Sequence, residues 1–406
     1  MNFHSRYRWP IFMLLAHIAF GQGTKHKEAD SIFQKTLVNG ISMGIPGISV
    51  AIGKGDSIYW SGTAGYSNLE KQVPVKQNTK FGIGSITKTF VAIVALQLVE
   101  EGRLDLAKVP SDYLDRNIFP AIANFDKAPL KTLLNHQSGI PSWEFEPRWI
   151  HDGRGVSLKP KHIWTKKEPL GYIDGTPALF VPGEKYDYSN TNYTLLGLII
   201  EKVTQHPLHQ EIRKRILEPL QLKDTYLQSF EDIPGGYAGN YHYPTPDYLK
   251  AAGGWNKEFS KANAYLMDTS ASNLSPEWAA GGMVASAIDL VKWAQALNNT
   301  GFLNQQLKEK YFAYHPPKSG SNPNFQYAQG IYKIDHYYRG HAVLGHSGGV
   351  LGFSAMMFWI EGTDIVVVSL VNAGHMHSGL KRPPSSLFYQ SILMPAVFEH
   401  FGIGNK

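Results

Sequence analysis

The chain has 406 residues, 43% of them hydrophobic and 18% charged, a balance that supports a large buried core and excludes a disordered polymer. Its formal charge of +6 comes from 39 basic and 33 acidic residues spread along the sequence, with no Lys/Arg block long enough to track a nucleic-acid backbone. With zero cysteines there is no disulfide, no thiol chemistry and no lipoprotein attachment, so the fold must hold by packing alone.

In chain order, Arg6 and Arg8 lead into an apolar stretch from Ile11 to Phe20, closed by the small residues Ala19 and Gly21. That is the pattern of an export signal, with cleavage expected after Gly21. A membrane span needs about 20 apolar residues, and Pro10 with the polar run after Gly21 leaves roughly half that length. The expectation is an exported protein, periplasmic or secreted, with no membrane span once residues 1–21 are removed. Next, Asp30 is placed to cap a helix carrying Ile32, Phe33, Leu37 and Ile41, and "GISVAIGKGDSIYWSGTAGY" reads as two strands about a Lys54-Gly55-Asp56 turn.

From about residue 85 to 315 the pattern is mostly helical, with long Pro/Gly/aromatic loops at 141–182 and 232–262. Strands return in "GFSAMMFWI" and "IVVVSLVN", about the turn Gly362-Thr363-Asp364, and an amphipathic segment from Ser385 to Phe401 follows, kinked at Pro395. Strands at both ends with helices between them predict an α/β fold of the α+β type. The expected arrangement is one domain, 22–406, with an antiparallel sheet lobe from about 22–84 and 322–406 and a mostly helical lobe inserted at about 85–321.

The chemistry is concentrated at "FGIGSITKTF", residues 81–90. Ser85 and Lys88 are three positions apart at the start of a segment that is apolar on nearly every face and stops at Glu100-Glu101-Gly102. Such a helix runs through a core, its start favours a developing alkoxide, and the two side chains share a face. A lysine dehydrated there loses basicity, and a neutral amine beside a hydroxyl can take its proton. The plain alternative is a capping serine and a surface lysine. A second SxxK, Ser378 and Lys381, shows that the tetrad arises by chance. The first has company: "PGEKYDYSNTNYTLLGLII" puts Tyr188 and Asn190 before an apolar helix, and "GHSGG" at 345–349 precedes a strand.

SxxK, then YxN, then an HSG triplet, in this order over most of the mature chain, resemble the signature of the serine beta-lactamase and penicillin-binding protein family. "LLNHQSGIP" at 133–141 and "AAGGMVAS" at 279–286 are similar to stretches of the branch holding class C beta-lactamases, D-Ala-D-Ala carboxypeptidases, D-aminopeptidases and esterases. The resemblance implies a beta-lactamase/transpeptidase-like fold and an acyl-serine mechanism without cofactor or metal. Ser85 would be the nucleophile, with Lys88 and Tyr188 sharing its proton. The N–H groups of Ser85 and Gly349 would hold the oxyanion, while Asn190 and the triplet His346, Ser347 and Gly348 would bind substrate. Two decoys fall out of chain order: Tyr66 to Asn68 precedes the serine, and His377 to Gly379 lies beyond the last strand.

Histidine at the triplet, where lysine is commonest, is partly charged near neutrality. It turns the expectation from a dedicated beta-lactamase toward a carboxypeptidase-like or D-aminopeptidase-like peptidase or an esterase, acting on a small-molecule or peptide substrate such as a cell-wall peptide. Three rival readings stand beside it: a class C-like beta-lactamase, a non-catalytic penicillin-binding-type module, and an alpha/beta-hydrolase. In the last, "GHSGG" would be a nucleophile elbow at Ser347, followed by Asp364 and His375, His377 or His400. The basic stretch 151–167, with Trp149 and Trp164 nearby, is a candidate rim for cell-wall glycan or peptide.

Overall fold

The computed structural model describes residues 27–116, 121–298, 304–315 and 323–405. The export-signal reading of residues 1–21 lies outside these. Among the described residues no helix is long and apolar enough to cross a membrane.

The first helix, α1, occupies residues 27–42, so Asp30 lies inside it rather than at its cap. The carboxylate accepts a hydrogen bond from Trp60 Nε1 at 3.2 Å instead, tying the helix to the sheet. Strands β1 (Gly47–Lys54) and β2 (Ser57–Asn68) form the hairpin read from the sequence, and the short β3 (Val73–Pro74) extends it. From the far end of the chain come β4 (Phe325–Tyr327), β5 (Tyr332–Tyr338), β6 (His341–Val350), β7 (Phe353–Ile360) and β8 (Ile365–Val371). Together they make one antiparallel eight-stranded sheet in the order β4-β5-β6-β7-β8-β1-β2-β3, and the two chain ends join where β8 pairs with β1, Ala51 opposite Val368.

β8 shows why this sheet is central. Ile365, Val367 and Val371 pack on one face with α1 and the C-terminal helices, while Val366, Val368 and Leu370 pack on the other against the helical lobe. Period-two alternation with no polar face is what a strand covered on both sides requires. The C-terminal segment is Pro384–Phe388, a wide π-turn Tyr389–Leu393, and Met394–His400. The wide turn precedes Pro395, which has no N–H to return to the turn before it.

In the helical lobe, α2 (Thr87–Glu100) is buried on every face from Thr87 to Leu96, and α3 (Asn190–Thr204) and Trp278–Gly281 pack against it. The lobe also holds two small sheets that the helical pattern did not predict. One joins Phe81–Gly82, Met283–Ala285 and Thr225–Leu227, and the other joins Ala373–Gly374 to Tyr241–His242, Met267–Asp268 and Ser260–Lys261.

Candidate active site

Ser85 sits in a single 3₁₀ turn, Gly84–Ile86, directly ahead of α2. From 81 to 96 it is the one residue that is not fully buried, so this otherwise sealed rod exposes a hydroxyl at its start. The glycines around it are steric necessities. Gly84 has φ +50°, and a Cβ there would lie 2.6 Å from the Gly349 nitrogen; a Cβ on Gly348 would lie 1.9 Å from the Ile83 carbonyl oxygen. The Gly348-Gly349 end of β6 is therefore pressed onto the turn that carries Ser85.

Lys88 is 0% exposed. Its Nζ lies 3.0 Å from Ser85 Oγ, 2.7 Å from Asn190 Oδ1 and 2.6 Å from the Ala280 carbonyl oxygen. The last two are acceptors, because the Asn190 amide nitrogen faces Glu144. An uncharged amine has two N–H bonds and one lone pair, so the two acceptors take the hydrogens and leave the lone pair aimed at the Ser85 hydroxyl. Burial pulls the Lys88 ammonium down to about 7, with the Glu144 charge opposing the shift.

Tyr188 is close by, its ring centroid 4.8 Å from Lys88 Nζ. Its buried hydroxyl has no hydrogen bond of good geometry, although Ser85 is near enough to favour the phenolate. Burial outweighs that and holds the phenol well above its usual value.

Asn190 is expected to meet substrate, yet its side chain is engaged at both ends, accepting from Lys88 and donating to Glu144. It orients the amine. Glu144 carried no signal in the sequence. It comes from the turn Trp143–Phe145, is fully buried, and has burial pushing its carboxyl up. Behind it Arg154 Nη2 lies 3.9 Å from Glu144 and 2.6 Å from Glu277, so with Lys88 protonated the cluster holds two cations and two anions.

His346, expected to be partly charged, is 2% exposed and neutral: burial, with the Lys88 charge adding, pulls it down to about 3. Its Nε2 is 3.0 Å from the Tyr327 hydroxyl, which is 3.2 Å from His136 Nε2. Ser347 meets the Tyr332 hydroxyl through both its N–H and its Oγ.

The rival assignments separate clearly. Ser347 is mid-strand in β6, and the chain turns straight into antiparallel β7. A nucleophile elbow needs a strand entering a helix, so that reading fails. Lys381 is exposed, which denies the second SxxK a dehydrated amine, and Tyr66 is 38% exposed at the end of β2. Trp149 is buried in the core, whereas Trp164 lines, with Asp152, Ser157, Lys159 and His162 of the 151–167 segment, a cavity of about 480 Å³ that shares no residue with the Ser85 site. Among the described residues no cluster of metal-ligand type occurs.

A family model described as Beta-lactamase matches residues 30–388. Protein flp of Staphylococcus aureus is 33% identical over 199 residues, 49% of this chain and 38% of its own length, so the match spans well under half of that relative. Among solved structures, a D-stereospecific amidohydrolase from Streptomyces sp. is 28% identical with a TM-score of 0.71, covering 85% of this chain and 94% of that one. The D-amino acid amidase of Ochrobactrum anthropi shares the fold at 24% identity and a TM-score of 0.74, over 93% of this chain and 100% of that one.

Proposed function

The chain belongs to the beta-lactamase family, and from that membership we propose that it is a serine hydrolase acting on amides through an acyl-Ser85 intermediate. The observation that carries the proposal is the fully buried Lys88 amine 3.0 Å from a reachable Ser85 hydroxyl, its other two hydrogen-bonding directions fixed by Asn190 and Ala280. The substrate class is an amide of a D-amino acid or a D-peptide, including a cell-wall peptide, with related esters as alternatives; the Streptomyces amidohydrolase supports the D-configuration. The reaction takes place outside the cytoplasm, consistent with the leader-like N-terminus.

Lys88 removes the Ser85 proton as Oγ attacks the carbonyl carbon. The new oxyanion is held by the N–H groups of Ser85 and Gly349, whose chain segments the Gly84 contact brings together; loss of one such donor costs about 10²–10³ in rate. Tyr188, held as a phenol, delivers a proton to the leaving amine and is recharged from Lys88. Water then attacks the acyl-enzyme, with the same groups acting in reverse, and releases the acid.

Intact-protein mass after exposure to a fluorophosphonate or a penicillin tests this. One adduct, mapped to the peptide containing Ser85 and absent from Ser85→Ala, is the expected result. No adduct, together with no turnover of D-alaninamide, a D-Ala-D-Ala peptide, a p-nitrophenyl ester or a cephalosporin, would leave a binding module.

A further inference from the structure

The hydrogen bonds around His346 have donor directions that the surroundings dictate, and they can be followed inward from the backbone. The Ser138 hydroxyl accepts from the Ile140 N–H, so it donates to Asn192 Oδ1, which turns the Asn192 amide nitrogen toward His136 Nδ1. The same Nδ1 also faces the backbone N–H of Ser189 at 3.1 Å. A ring nitrogen met by two donors must be bare, so His136 carries its hydrogen on Nε2. That N–H points at the Tyr327 oxygen, and the Tyr327 O–H is left to point at His346 Nε2. On the other side of the ring, His346 Nδ1 meets the carbonyl oxygen of Ser347, which can only accept, so Nδ1 bears the hydrogen. Every donor in the chain Ser189, His136, Tyr327, His346, Ser347 is thereby assigned.

We infer that His136 and Tyr327 lock His346 as a neutral imidazole, so that the site selects acyl donors whose leaving group carries no carboxylate. Protonating His346 would put an N–H on Nε2. Tyr327 would then face two N–H donors, and its own hydrogen would have to leave His346 for the neighbouring Tyr193 oxygen, a contact that falls short of good hydrogen-bond geometry in this buried place. The groups that face His346 give the cation no help: Lys88 from α2, His136 from the 135–142 loop, Tyr188 ahead of α3, Tyr327 from β4 and Tyr332 from β5. None is a carboxylate, and Lys88 repels a second positive charge.

The consequence for substrate is chemical. In a D-alanyl-D-alanine peptide the departing amine bears a carboxylate; in the corresponding amide it does not. A lysine at this strand position would be a fixed cation for that carboxylate, and a locked imidazole is not. His136 and Tyr327 act through His346 and are positioning residues. The substrate consequence rests on the acyl-Ser85 reading, whereas the lock does not.

Long-range proton–nitrogen correlation spectra of the full chain labelled with ¹⁵N-histidine, assigned with His346→Gln and His136→Gln, read the lock directly. The expected spectrum has His346 protonated on Nδ1 and His136 on Nε2, both unchanged from about pH 8 to about pH 6. An imidazolium at His346 within that range overturns the inference, whether or not the protein turns over any substrate. The second readout compares release of D-alanine from D-alanyl-D-alanine with release of D-alaninamide from D-alanyl-D-alaninamide, the same bond with and without the charge. The wild-type ratio should stay within about twofold over that range and favour the amide, because Lys88 titration affects both substrates alike. A shift of about tenfold toward the dipeptide as pH falls would contradict it. His346→Lys puts a fixed cation at this strand position, and its ratio should move several-fold toward the dipeptide at about pH 6; an unmoved ratio would remove the specificity half. If Ser85 takes no adduct, the hydrolase reading falls, and the spectrum still decides the lock.

Discussion

Two buried polar clusters meet at Tyr188, and they solve the problem of burial in opposite ways. Lys88, Glu144, Arg154 and Glu277 place four ionisable groups out of water, tolerable because opposite charges face one another and Asn190 bridges Lys88 to Glu144. His136, Tyr327 and His346 bury the same kind of polar surface with no charge, each hydrogen bond running one way toward the Ser347 carbonyl. In the first cluster burial lowers the lysine and raises the carboxyl, so a proton is held loosely where the reaction needs one. In the second the pattern of donors forbids a change of charge. Catalysis and selectivity are thus assigned to neighbouring regions that differ in whether their protons are free to move.

Substitutions in each region separate them. The largest effect is expected at Lys88: Lys88→Met removes the base and should lower kcat/KM by about a thousandfold or more, measured on whichever amide the wild type hydrolyses. Next comes Arg154→Met, which leaves buried Glu277 unpaired and should destabilise the protein by about 3–5 kcal/mol in chemical denaturation. The matching cut in the neutral cluster, Tyr327→Phe, should cost less, about 1–3 kcal/mol, because it orphans a neutral N–H rather than an ion. Equal losses in the two variants would erase the contrast.

The smallest effect is a shift in pH dependence. The Glu144 carboxylate favours the protonated form of Lys88, so Glu144→Gln should let the amine lose its proton more readily. The acid limb of kcat/KM then moves to lower pH, with the plateau rate retained to within about tenfold. A move to higher pH would mean that Glu144 does not act on Lys88 through charge.

Much of this was legible in the sequence, for reasons that also mark where legibility stopped. Ser85 and Lys88 are one turn apart, so their contact is fixed by helix geometry; the alternation in "IVVVSLVN" and the turn at Gly55 likewise fixed strands from local pattern. Tyr188 and Asn190 are named by the resemblance to the family's YxN element, which does not say that the Asn190 amide is occupied at both ends. Glu144 and the Ala280 carbonyl come to Lys88 from separate segments, with Arg154 and Glu277 behind Glu144, and no periodicity announces such a meeting. His346 looked half-charged because its reference value is near neutrality; the Tyr327 hydroxyl that settles its state lies on another strand. Asp30 looked like a cap because a carboxylate before an apolar run usually is one, and here Trp60 claimed it.

Acylation depends on an amine at Lys88 that is uncharged near neutrality and aimed at Ser85. The most direct measurement is the rate of fluorophosphonate attachment to Ser85 as a function of pH, in the wild type and in Lys88→Met. The wild-type rate should rise through an inflection at about 7, shared by the Lys88–Glu144 pair, and in Lys88→Met it should be lower by about a hundredfold or more and lack the inflection. A wild-type rate that climbs only toward the ordinary lysine range near 10.4, or that Lys88→Met leaves unchanged, would contradict that dependence.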